Sequence, residues 1–293
     1  MKVAVIGRSG QLARCLADAQ PHGVNAVFFG REQLDLGAAH VNTNALSDFG
    51  PDLIINVAAY TQVDRAEAEP AAAFAINADG PRSLALHAYH ADIPLIHIST
   101  DYVFDGAKSG AYIETDAANP VSVYGASKWA GEEAVRETLH RHLIFRTSWV
   151  FSQYGQNFVK TMLRLSRTNP TLRIVADQTG CPTSAAALAH AIWRVARSKD
   201  AAWGTYHAAG SPVTTWAEFA EAIFEGAAPW LAERPTVTPI PARDYPTAAM
   251  RPQNSALSCA KFEATFGLKL GHWRDDLTQT LDALRQQEVV QID

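Results

Sequence analysis

The opening residues constrain this chain most. Val3-Ala4-Val5-Ile6 is an unbroken apolar run that stops at Gly7, and Gly7-Arg8-Ser9-Gly10-Gln11-Leu12-Ala13 then starts a helical pattern. That pattern runs to Ala19, with Leu12, Leu16 and Ala19 on one face. A strand that is apolar at every position must be covered on both faces, which is the situation of a parallel sheet flanked by helices. Further runs follow at Val24–Phe29, Asp52–Val57, Pro94–Ser99 and His142–Arg146, with helical stretches at Ala71–His90 and Ser127–Leu139 between them. The alternation predicts an α/β fold of the Rossmann type: a doubly wound parallel sheet with a smaller C-terminal α/β substrate domain.

After Trp149 the pattern changes. Helices are expected at Asn157–Arg167, Ala185–Arg197, Thr215–Gly226 and Leu277–Val289, and short strands at Arg173–Asp177 and Thr205–Ala209. Thr214 or Thr215 is the expected cap of the third of these helices. Prolines crowd the stretch from Pro229 to Pro252, which reads as loop and edge structure. The expected division is residues 1–150, with roughly 185–212 returning to the sheet, as a dinucleotide-binding domain. Residues 151–184 and 213–293 then form the substrate-binding domain, with a cleft between the two.

Bulk properties exclude several classes. A chain of 293 residues with 47% apolar and 19% charged residues has ample core. Its formal net charge of −5 gives no field for nucleic acid or an anionic membrane. Three scattered cysteines, Cys15, Cys181 and Cys259, argue against a disulfide framework, and no Cys/His cluster suggests zinc. Met1-Lys2 leads straight into a strand pattern and no apolar run is long enough to span a bilayer. A cytoplasmic location is expected.

Gly7 and Gly10, between a strand and a helix start, suit a dinucleotide pyrophosphate. Glycine allows the backbone a close approach, and the helix N-terminus offers free N–H groups and a positive dipole end. Gly7-x-x-Gly10-x-x-Ala13 is a relaxed form of the dinucleotide fingerprint. At the end of the second strand an acid would favour NAD and an arginine NADP. Gly30-Arg31 stands there, with Glu32 and Asp35 close behind. Arg31 is therefore expected to contact a 2′-phosphate and to favour NADPH, with NADH still usable; the alternative is a solvated surface charge.

Thr100 ends the fourth strand, at the edge of the sheet where open α/β folds bind ligands. Tyr124 and Lys128 stand four apart, on one face if they begin the following helix. A neighbouring ammonium lowers the pKa of a phenol. Such a phenol can give a proton to a carbonyl oxygen while hydride reaches the carbon. A surface Tyr and Lys on an amphipathic helix is the structural alternative.

At these residues the chain resembles the extended short-chain dehydrogenase/reductase superfamily and, within it, the dTDP-4-dehydrorhamnose reductase family. The resemblance rests on Gly7–Leu12, Asn56-Val57-Ala58-Ala59-Tyr60-Thr61-Gln62-Val63-Asp64, Ser99-Thr100-Asp101-Tyr102-Val103-Phe104-Asp105-Gly106 and Tyr124-Gly125-Ala126-Ser127-Lys128. It continues through Arg146–Phe151, Asp177-Gln178-x-Gly180-x-Pro182-Thr183 and Arg251-Pro252-x-Asn254-Ser255, spanning nearly the whole chain. It implies reduction of the C4 carbonyl of dTDP-4-dehydro-L-rhamnose to dTDP-L-rhamnose, with Thr100, Tyr124 and Lys128 as the catalytic trio and Tyr124 as proton donor. It implies a cofactor site of Gly7, Gly10, Gln11, Leu12, Arg31, Asp35, Leu36, Ala58, Ala59, Tyr60, Tyr124 and Lys128. Thr100, Asp101 and Trp149 would face the sugar, and Arg251 the nucleotide diphosphate; a core role for Trp149 and a surface ion pair for Arg251 are the alternatives. A sister reductase of other stereochemistry, or a non-catalytic regulatory subunit of the same fold, also fits the pattern.

Some members of the family are dimers bridged by magnesium through glutamates. Here Cys15 and the stretch Ser184-Ala185-Ala186-Ala187 occupy the corresponding positions. A hard cation needs oxygen ligands. No metal is expected, and the assembly is expected to be a monomer or a homodimer not linked by metal.

Overall fold

The structure is a computed structural model that describes residues 1–198 and 202–290. Its strands are β1 (Lys2–Ile6), β2 (Asn25–Phe29), β3 (Leu53–Asn56), β4 (Leu95–Thr100), β5 (His142–Thr147), β6 (Val150–Phe151), β7 (Thr171–Val175), β8 (Thr179–Gly180), β9 (Thr183–Ser184), β10 (Gly204–His207), β11 (Thr214–Thr215) and β12 (Thr236–Ile240). The helices are α1 (Gln11–Asp18), α2 (Asn44–Phe49), α3 (Val63–Ala68), α4 (Pro70–Phe74), α5 (Gly80–His90), α6 (Val123–Thr138), α7 (Phe158–Ser166), α8 (Ala185–Ala196), α9 (Trp216–Ala227), α10 (Ala260–Phe266) and α11 (Trp273–Val290).

Six strands form one parallel sheet in the order β10-β5-β4-β3-β1-β2. The unbroken apolar runs follow from its two covers. Val3 and Val5 enter a cluster with Leu12, Leu16, Leu188 and Phe262, from α1, α8 and α10. Ala4 and Ile6 enter another with Leu84, Ala88 and Val135, from α5 and α6. The chain reverses direction across the sheet between β1 and β3, and a ligand crevice is expected beyond the carboxyl ends of such strands. A separate cluster holds Phe151, Val159, Phe219, Ile223, Trp273 and Leu277, joining α7, α9 and α11 over the β7–β12 pair. Among the described residues no helix is long and apolar enough to cross a membrane.

The structure corrects several element boundaries. The long helix expected over Ala71–His90 is α4, one π-helical turn at Ala75–Asp79, and α5. The helix expected from Ser127 begins at Val123, where the Ser122 hydroxyl accepts the Gly125 N–H at 3.1 Å. Within the proline-rich stretch, Thr236–Ile240 pairs in parallel with β7. Pro239 is tolerated because this two-stranded sheet has a free edge. Thr215 caps α9 through a reciprocal box with Glu218. The short helices α2, α3 and α10 have no counterpart in the sequence pattern.

Gly131 on α6 lets the π turn approach: a β-carbon there would lie 2.0 Å from the Asn77 carbonyl oxygen. Gly131→Ala should therefore destabilise the protein by about 1–3 kcal/mol, the cost of overpacking a tight contact. Thermal denaturation measures this, and a melting temperature equal to that of the wild type would contradict the contact.

Candidate active site

The site is built where the first strands end. Gly7 follows β1 with φ +107°, a region side chains rarely adopt, and a β-carbon there would meet Ala58 N at 3.2 Å. Gly10 caps α1 without any side-chain hydrogen bond, and the first turn carries no acid. A β-carbon at Gly10 would meet nothing within 4 Å, so the helix start is open at this residue. A pyrophosphate fits this cradle.

The other expected cofactor residues divide. The Gln11 side chain reaches the segment after β6, its Oε1 accepting from Ser152 Oγ at 3.0 Å and Asn157 Nδ2 at 2.9 Å. Only its backbone remains for a phosphate. Leu12 and Leu36 are buried in the two covers of the sheet, Leu36 against Gly80. Arg31 is 79% exposed at its side chain and pairs with Asp35 at 3.0 Å. This cation is mobile in the sense that an exposed pair holds it only weakly. Ala58, Ala59 and Tyr60 line the crevice after β3, half-buried. Asn77, on the π turn, fixes that loop. Its Oδ1 accepts from Tyr60 N at 2.8 Å, and its Nδ2 donates to Tyr60 O and Ser127 Oγ, both at 3.0 Å. Side chains on π turns frequently serve functional sites.

Thr100, Tyr124 and Lys128 come together at the same edge. The Thr100 hydroxyl accepts the Tyr102 N–H at 3.2 Å and donates to Asp101 Oδ1 at 3.0 Å. Tyr124 lies edge-on to Tyr102, with ring centroids 5.8 Å apart. Burial pushes the Tyr124 phenol up to about 12; the Asp101 charge adds to this and the Thr100 hydroxyl opposes it. The expected lowering by Lys128 is not what the site shows. The Lys128 ammonium donates to Ile98 O at 2.7 Å, and burial pushes it down to about 8 against the opposing charge of Glu132. The phenol holds its proton at neutral pH.

Glu132 stands one helical turn beyond Lys128 and is fully buried. Its carboxylate accepts from Ser99 Oγ at 2.5 Å, Arg146 Nη2 at 2.8 Å and Arg136 Nη1 at 2.9 Å. Ser99 and Arg146 are register partners on β4 and β5. One carboxylate thus ties α6 to the two strands beneath the trio. Sequence reading missed Glu132, although its i+4 spacing from Lys128 carries the signal; Asn77 has no comparable signal.

Asp101 is buried beside Thr100, and its Oδ2 has no hydrogen-bond partner. Trp149 has a left-handed backbone, φ +46°, and its indole stacks on Trp216 with centroids 3.4 Å apart. It is half-buried, and Gly180 also lies against its ring. Arg251 is paired with Asp64 at 2.7 and 3.1 Å. The pair holds Asp64 below the usual carboxylate range. Cys15 is buried, its thiol pushed up to about 12 by desolvation. Among the described residues no group of three or more His, Cys, Asp or Glu is placed to hold a metal.

A family model described as the RmlD substrate binding domain matches residues 1–286. A dTDP-4-dehydrorhamnose reductase from Sinorhizobium fredii is 46% identical over 97% of this chain and 98% of its own length. This chain belongs to the dTDP-4-dehydrorhamnose reductase family. Membership makes it an oxidoreductase. A crystal structure of the family's enzyme from Clostridium acetobutylicum superposes with a TM-score of 0.92 at 34% identity, covering 97% of this chain and all of that one (100%). The enzyme from Bacillus anthracis, solved in complex with NADP, gives 0.90 at 34% identity over 96% of this chain and 99% of that one. The parallel sheet with flanking helices is the Rossmann-type fold of these reductases.

Removing Glu132 would leave the buried Arg146 without its counter-charge and the half-buried Arg136 without its ion pair. Glu132→Ala should cost about 3–5 kcal/mol, the usual loss on breaking a buried ion pair. Denaturant unfolding measures the loss, and a change below about 1 kcal/mol would remove Glu132 from this role.

Proposed function

We propose that this chain reduces the C4 carbonyl of dTDP-4-dehydro-L-rhamnose to dTDP-L-rhamnose, with NADPH as the preferred cofactor and NADH as a usable one. One observation carries the reading: Thr100, Tyr124 and Lys128 share a sheet edge with the uncapped Gly7–Gly10 turn, in a chain of this reductase family. The NADP complex of the Bacillus anthracis relative supports the cofactor. NADPH, when bound, supplies the hydride to C4.

The protein's own residues handle the proton. Tyr124 remains protonated through the neutral range, as a donor must. As charge develops on the sugar oxygen, the phenol gives up its proton to it, while the Lys128 ammonium, anchored on Ile98 O, stands ready to hold the nicotinamide ribose. Thr100 orients the carbonyl. The N–H groups after Gly10 hold the pyrophosphate, and Arg31 exchanges its exposed pairing with Asp35 for the 2′-phosphate. Trp149 faces the sugar, and Arg251 faces the nucleotide diphosphate by yielding part of its bond to Asp64. The two lobes, residues 1–150 with 185–212 and residues 151–184 with 213–293, enclose the substrate. We place the enzyme in the cytoplasm, as a monomer or a homodimer not linked by metal.

The direct test is NADPH consumption with dTDP-4-dehydro-L-rhamnose, followed by NMR of the product; no turnover, or a product of the other C4 configuration, would refute the assignment. Tyr124→Phe should lower kcat by about 10² to 10⁴, the span of general acid catalysis. A variant within a few-fold of wild type would remove Tyr124 as donor. Arg31→Ala should raise the KM for NADPH about tenfold or more, the loss of a charge-assisted hydrogen bond, and leave that for NADH within about twofold. Equal effects on both cofactors would contradict the 2′-phosphate contact.

A further inference from the structure

The Thr100 hydroxyl has a single proton, and that proton is already committed. Asp101 Oδ1 lies 3.0 Å away and draws that proton when ionised, while the oxygen accepts the Tyr102 N–H and the Tyr124 phenol stands within hydrogen-bond reach. A hydroxyl in this state cannot donate to a substrate carbonyl. The other carboxyl oxygen of Asp101 is buried without a donor. An ionised carboxylate in that position is costly, and taking up a proton relieves the cost.

We infer that Asp101 is a proton-dependent positioning residue: in its neutral form it donates to Thr100 Oγ, turning the threonine proton outward to the substrate carbonyl. This rests on the reductase reading above. The proton of Asp101 is not consumed, since Tyr124 supplies the one that ends on the sugar oxygen. Ionised Asp101 reverses the hydrogen bond and also places a negative charge beside the oxygen on which charge develops. The geometry therefore makes the protonated form the competent one.

The surroundings agree. Tyr102 faces Asp101 from its own turn, Tyr124 from α6, and Cys181 from the β8–β9 connection. Burial raises all three, so each is neutral near pH 7. Ser255 approaches from the C-terminal segment; its hydroxyl, that of Thr100 and the backbone N–H groups of Asp101 and Tyr102 together only partly offset the effect of burial. Asp101 is pushed up to about 7, mainly by desolvation. The sign follows directly: the neutral form dominates below about 7 and is lost as the pH rises.

The test combines two readouts. In protein labelled with [γ-13C]aspartate, the Asp101 carboxyl resonance, assigned by its loss in Asp101→Asn, should titrate near pH 7 with no substrate present. In turnover of dTDP-4-dehydro-L-rhamnose, kcat/KM of the wild type should fall about tenfold per pH unit above that value, as for one ionisation. Asp101→Asn, which cannot ionise, should lose this limb even where its absolute rate is lower. A resonance that titrates below about pH 5 overturns the inference, and this result is independent of whether Asp101→Asn folds or whether the substrate is correct. A limb that persists unchanged in Asp101→Asn also overturns it. Absence of turnover by the wild type at every pH would instead overturn the reductase reading on which the carbonyl contact rests.

Discussion

The buried carboxylate of Glu132 is the contact on which the site depends. It receives Ser99 from β4, Arg146 from β5 and Arg136 from its own helix. Thr100 is the next residue after Ser99, and Lys128 is one helical turn before Glu132. The carboxylate therefore fixes the one distance that matters, that between the hydroxyl on the strand and the phenol and ammonium on the helix. Two glycines bring the helix close enough for this. A β-carbon at Gly125 would stand 2.2 Å from Tyr102 O, and one at Gly131 would strike the π turn that holds the Tyr60 loop.

The same burial that makes these contacts strong sets the resting charges. Water is excluded, so each titratable group shifts toward its neutral form unless an opposite charge holds it. Glu132 has arginines and stays ionised, below the usual range. Lys128, Tyr124 and Asp101 lack such close partners and move the other way. The phenol and the Asp101 carboxyl gain affinity for their protons, whereas the ammonium of Lys128 loses some of its own.

Much of this was legible in the sequence. Val3–Ile6, the β3 run and the β4 run announce a doubly covered sheet because each successive residue enters a different cover. Tyr124 and Lys128 announce themselves by spacing. The start of α6 was hidden because Gly125 looks like a helix breaker, whereas its absent side chain accommodates Tyr102 O. The π turn was hidden because a one-residue widening leaves apolar periodicity almost unchanged. The bonds of Gln11 to Ser152 and Asn157, and of Asp64 to Arg251, join residues more than a hundred positions apart. No local pattern specifies such pairings. Gln11 and Arg251 are the ligand candidates of the sequence; in the structure their side chains also carry these long-range bonds.

The most direct measurement is a crystal structure of the protein with NADP and dTDP-L-rhamnose. The account predicts the sugar O4 at about 3 Å from both Thr100 Oγ1 and the Tyr124 hydroxyl, with the pyrophosphate of NADP on the N–H groups after Gly10. A sugar seated away from Thr100, or a Tyr124 hydroxyl directed out of the crevice in the complex, would contradict it.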